Sequence, residues 1–203
     1  MLYIPSGMFF HIGGVDVNNN WEQVSEQDYK VIIEQLGREP RGVLGIACRC
    51  EFGYPCVIVN RPINTEVETV TVFPTTFWLT CPHLKKAVSQ LESSGMISEM
   101  ETKIAQEKQF AEAVRENHLS HAEIRQSLVP NEVKQVLAKN YPKEFQVLVK
   151  TGVGGIRSQS GVKCLHAHLA DFLVDGNNVI GQIVYDSLKG DISCSSINCA
   201  VEN

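Results

Sequence analysis

The stretch VLGIACRCEFGYPCVIVN, residues 43–60, decides how the chain is read. Val43 to Cys50 and Pro55 to Asn60 are short, apolar and β-branched, with Gly53 between them where the chain must reverse. They predict a strand pair. Just upstream, Ser25 stands at a helix-cap position with Asp28 three residues on, and Tyr29, Ile32, Ile33 and Leu36 recur at helical spacing before Gly37. Downstream, the β-rich stretch Val67 to Phe73 leads into Pro74 to Thr80, which adds one or two strands. Cys81-Pro82 then opens a second helix, with Pro82 at a favoured first position and Leu84, Ala87, Val88 and Leu91 forming the inward stripe before Gly95.

Further on, Met96 to Leu128 predicts one long interrupted helix or two, with Met100, Ile104, Ala111 and Val114 keeping the period and the charges on a solvated face. Pro130 starts a shorter helix through Val133, Val136 and Leu137, closed by Tyr141-Pro142. Phe145 to Val149 reads as a strand, Gly152 to Gly161 as a glycine-rich loop, and Val162 to Val174 as a helix. Helices and strands mix without βαβ alternation. The expected fold is therefore α+β, a single domain over residues 25–190 with a small sheet of about four to five strands packed by helices. Residues 1–24 read as a leader and 191–203, rich in Ser, Asn and Cys, as a flexible tail.

At 203 residues, with 43% hydrophobic and 20% charged side chains, the composition excludes a disordered chain and a membrane bundle. The net charge of -5 argues against a broad grip on nucleic acid. No apolar run approaches the roughly 18 residues of a membrane span, so no membrane insertion is expected. The cysteine count is seven, an odd number, and Met1 to Val17 lacks the basic flank of a signal peptide. The expected location is a reducing one, the cytoplasm.

Thiolates ligate zinc, and distant segments commonly converge to supply them. Cys48, Cys50 and Cys56 are close in sequence, Cys81 stands at a strand-to-helix junction, and Cys164 lies late in the chain. Cys48 and Cys56, inside apolar runs, read as small core hydrophobes, whereas Cys50 precedes a turn and is the better ligand candidate. On the expected helix Val162 to Val174, the residues Val162, Leu165, Leu169, Phe172 and Leu173 form one face. Cys164, His168 and Asp171 fall on the opposite face, and all three have metal-ligand chemistry. His166 borders the apolar stripe and is the candidate acid or base. Gly152, Gly154 and Gly155, joined by Arg157, form a loop whose N–H groups are candidates for holding an anion, and Arg41 near the turn after Gly37 is a second anion clamp. The loop matches neither the dinucleotide fingerprint nor a Walker A motif.

Three blocks, GREPRGVLGIACRC at 37–50, FPTTFWLTCPHL at 73–84 and VKCLHAHLA at 162–170, resemble the signature blocks of the bacterial family called domain of unknown function 501. The family's shared thiols fall on Cys50, Cys81 and Cys164 and its shared histidine on His166. Asp171 stands where that family tends to have another histidine. Its genes are often found beside those for a division-associated septum protein and an exopolyphosphatase, an association without mechanism.

The leading expectation is a zinc site in which Cys50, Cys81 and Cys164 converge, completed by His168, Asp171 or His166. Closed, such a site stabilises the fold; open to water, it activates that water for hydrolysis of an anionic or phosphorylated small molecule. Two alternatives stand beside it. One is a non-catalytic module whose charged helices dock a protein partner of the division or envelope machinery. The other is metal-free thiol chemistry at Cys81, activated at a helix N-terminus.

Overall fold

The computed structural model describes residues 21–64, 70–158 and 160–188 and the single positions 192, 194 and 199. The expected leader and tail thus lie largely outside the described residues, as does the 65–69 segment.

Helix α1, Glu26–Leu36, starts on a reciprocal cap: the Ser25 hydroxyl accepts the Asp28 N–H and the Asp28 carboxylate accepts the Ser25 N–H. Gly37 closes it as expected. Strands β1, Val43–Arg49, and β2, Pro55–Asn60, form an antiparallel hairpin that turns at Gly53, whose φ of 81° suits a residue without a Cβ. A small ribbon follows, made by β3, Ile63–Asn64, and β4, Thr71–Val72. Strand β5, Phe77–Leu79, then pairs antiparallel with the free edge of β2, giving the order β1-β2-β5. All six residues of β2 are buried, which explains its unbroken apolar run in place of alternation.

Eight α-helices complete the described domain, with α2 at Pro82–Ser93, α3 at Met96–Gln106 and α4 at Lys108–Ser127. Pro82 does take the first position of α2, with Cys81 as its N-cap. The charged stretch is two helices, separated where Glu107 adopts an extended conformation. Helix α5, Asn131–Asn140, precedes α6, Pro142–Lys150. Here the sequence reading is corrected: Phe145 to Val149 is helix, not strand. Pro142 ends one helix and also starts the next, and a five-residue apolar run does not reveal its own period. Leu148 of α6 is fully buried beside Ile63, Val129 and Leu137, and this small cluster satellites the main core.

A short 3-10 turn, Val153–Gly155, leads to α7, Leu165–Asp175, and α8, Val179–Ser187. Helix α7 packs against all three strands of the main sheet, α2 and α8. It is buried on nearly every side, with Leu165, Ala167, His168, Leu169, Ala170 and Asp171 all inaccessible. The expected polar outer face is therefore an inner one. Cys164 is not on the helix at all but is its extended N-cap, so helical spacing does not relate it to His168 and Asp171.

Candidate metal centre

Helix α7 begins without a capping hydroxyl of its own, because Cys164 makes no side-chain cap bond. A carboxylate from another element fills that role. Glu92, in the last turn of α2, accepts the Leu165 N–H through Oε1 at 2.7 Å, where the helix dipole favours negative charge. The same oxygen stands 3.2 Å from His166 Nδ1, and Cys164 Sγ stands 3.7 Å from that nitrogen. Among the described residues, Glu92, Cys164 and His166 are the one group of three metal-competent side chains whose donor atoms lie within 4.8 Å of one another.

The far side of the His166 ring fixes its proton. Ser89 donates its hydroxyl to Lys85 O at 2.8 Å, so the hydroxyl proton is engaged. Ser89 Oγ and Lys85 O then both face His166 Nε2, at 3.2 and 3.1 Å, as acceptors. Nε2 carries the hydrogen, and Nδ1 is the atom turned toward thiol and carboxylate. Those neighbours raise the imidazole pKa to about 9, chiefly through Cys164, against the opposing effect of burial. Nδ1 thus sits where a cation is favoured, either as a proton or as a metal ion. The side chains of Glu92 and His166 remain about a quarter exposed, at 26% and 23%, so the cluster is reachable from solvent.

The other expected site residues go elsewhere. Cys50, at the hairpin turn, and Cys81 do not join Cys164 in such a group. Cys81 is buried, and burial pushes its thiol up despite the Leu84 and His83 N–H groups directed at it. That reverses the expectation of an activated thiol at this helix N-terminus: desolvation outweighs the dipole.

His168 and Asp171 belong to a buried polar network. His121 of α4 donates Nδ1–H to Asp171 Oδ1 at 2.6 Å, and Asn178 Nδ2 donates to Asp171 Oδ2 at 2.8 Å. His168 donates Nδ1–H to Asn178 Oδ1 at 3.0 Å, and that oxygen also accepts the Gly181 N–H. Burial holds His168 down to about 4. Both carboxylate oxygens of Asp171 are therefore engaged in holding α4, α7 and the start of α8 together.

The glycine loop has a packing role. Gly152 donates to Ile156 O, Gly155 donates to Gly152 O, and the Val153 N–H goes to His118 Nδ1 at 3.1 Å. Those N–H groups, expected to hold an anion, are spent within the protein. A Cβ on Gly152 would meet the His118 ring at 2.5 Å, and one on Gly154 would lie 3.6 Å from the Cβ atoms of Cys164 and Ala167. The missing side chain at Gly152 thus lets the loop lie directly against His118 of α4. Arg157 and Arg41 are exposed.

Two important residues escaped the sequence reading. Glu92 shares one face of α2 with Lys85 and Ser89 at i, i+4 and i+7, a spacing that was visible but whose charge reads as solvated surface. Arg125 is wholly buried. Its guanidinium donates to Pro74 O, Val147 O, Leu148 O and Thr151 O, closing the carbonyl end of α6.

No curated protein and no solved structure matches the chain. The family model described as protein of unknown function, DUF501, matches residues 46–186, well over half of the chain, and the chain belongs to that family.

Proposed function

We infer that the protein is a metal-binding domain in which Glu92, Cys164 and His166 hold a single zinc-like divalent ion. The observation that carries this reading is the approach of three chemically different donors within 4.8 Å, with the His166 ring oriented by acceptors on its other side. Metal-ligating histidines characteristically give their second nitrogen to a carbonyl or carboxylate in this way. One thiolate, one imidazole and one carboxylate are a donor set suited to zinc.

Three protein ligands leave a fourth position for water. The partial exposure of Glu92 and His166 supports an open site of this kind, which is the arrangement of hydrolytic rather than purely structural zinc. On this reading a bound ion would supply Lewis-acid chemistry toward a small anionic substrate, and His166 would serve as a ligand in place of the free acid or base expected from its sequence position.

Elemental analysis of untagged protein, loaded with zinc and desalted, tests the reading. About one equivalent is expected in the wild type, with its loss in Cys164→Ala and His166→Ala. Metal-free wild type, or an undiminished equivalent in Cys164→Ala, overturns it. Hydrolysis of chromogenic phosphate esters by the loaded protein, abolished by chelation, supports the open form.

A further inference from the structure

On the opposite side of the sequence's cysteine inventory, two thiols outside the metal centre meet face to face. In the β1–β2 ladder Cys48 pairs with Val57, and the register shifts on both sides of it, between the Ile46–Ile58 and Arg49–Pro55 pairs, so Cys56 is the neighbouring residue along β2. The ladder is irregular at Cys48. Both cysteines are free thiols, and their sulfurs are 3.1 Å apart. A disulfide holds its two sulfurs at about 2.05 Å. The sulfurs therefore have only about 1 Å to close, at a point where the ladder is already irregular.

The two thiols are not equivalent. Cys56 is buried to 3% exposure, whereas Cys48 is only partly buried and reachable from solvent. The Cys56 S–H donates to Cys48 Sγ. That bond lowers the Cys48 thiol pKa and, with burial, raises that of Cys56. The accessible sulfur is thus the more nucleophilic one, and the buried partner is held against it.

We propose that Cys48 and Cys56 are a peroxide-reactive thiol pair, an oxidative modification site that closes to a cross-strand cystine. The Cys48 thiolate attacks one oxygen of a hydroperoxide, the O–O bond breaks, and the departing oxygen takes a proton and leaves as alcohol or water. Cys48 becomes a sulfenic acid, its sulfur oxidised by two electrons as the peroxide is reduced by two. The Cys56 sulfur then attacks Cys48 Sγ, its proton leaves with the sulfenic hydroxyl as water, and the S–S bond forms.

The test uses the reduced full-length chain treated with limiting hydrogen peroxide, then denatured in excess alkylating agent. Intact mass is expected to show loss of two of the seven alkylation sites, and peptide mapping a link between Cys48 and Cys56. Cys48→Ser should slow the oxidation of Cys56 by about tenfold or more, while Cys50→Ser and Cys81→Ser form the cystine at the wild-type rate. In Cys56→Ser, Cys48 should accumulate as a sulfenic acid that a cyclic 1,3-diketone captures. Full alkylation of treated wild type, a cystine at any other pair with these two reduced, or absence of diketone capture at Cys48 in Cys56→Ser overturns the proposal.

Discussion

Arg125 is a cation fully withdrawn from water whose partners are four backbone carbonyls. Burial draws its pKa down to about 10, which still leaves it charged at neutral pH. Removing it strands the last carbonyls of α6, so Arg125→Ala is expected to cost about 3 kcal/mol in urea unfolding, with Arg125→Lys intermediate. A loss below about 1 kcal/mol would contradict the capping role. Gly152 is a second single-residue case: Gly152→Ala drives a methyl into His118 and should destabilise by about 1–3 kcal/mol in the same assay. Neither role was legible in the sequence. In α4 the buried positions Val114, His118, His121, Ala122 and Arg125 keep helical spacing, but three of the five are polar, so the stripe does not look like a core face.

At the scale of elements, features fixed by local chemistry were readable. The Ser25 cap, the Gly37 stop, the hairpin about Gly53 and the Pro82 start each depend on residues within a few positions of one another. Element α6 and the start of α7 were not, because Pro142 both follows one helix and opens the next, and Cys164 makes no capping bond that would mark a helix start. The junction of α1 with the hairpin offers a pH prediction. Arg49 holds Asp28 with two bonds, at 2.7 and 3.1 Å, while also donating to Glu22 and Gly53 O. This pair lowers Asp28 from 3.8 to about 2, chiefly through Arg49. Because the folded pKa lies below the unfolded one, the contribution is present above about pH 4 and lost as pH falls to about 2. Asp28→Asn should therefore cost about 1 kcal/mol near neutral pH, allowing for solvent screening, with the difference from wild type vanishing in acid. A pH-independent difference in chemical denaturation would contradict the assignment.

Across the whole molecule, α7 separates two kinds of polar chemistry. Its N-cap and first turn present Cys164 and His166 to Glu92 near the surface, while its body buries His168 and Asp171 against α4 and Asn178. Sequence spacing had grouped Cys164, His168 and Asp171 because it assigned them one helical face. The tertiary contacts regroup them, and the carboxylate that meets Cys164 and His166 arrives from α2, more than seventy positions earlier in the chain. Such convergence has no local signature. It predicts that Asp171→Ala destabilises the fold by about 3 kcal/mol through the buried network, yet leaves the zinc stoichiometry at about one. Loss of metal in a variant shown to remain folded would return Asp171 to the ligand set.

Cobalt(II) titration followed optically asks whether one thiolate from Cys164 joins His166 and Glu92 on a single ion. A thiolate-to-cobalt charge-transfer band is expected to saturate at about one equivalent, retained in Cys50→Ser and Cys81→Ser and abolished in Cys164→Ser. A band that survives in Cys164→Ser, or that disappears with Cys50 or Cys81 instead, would contradict it.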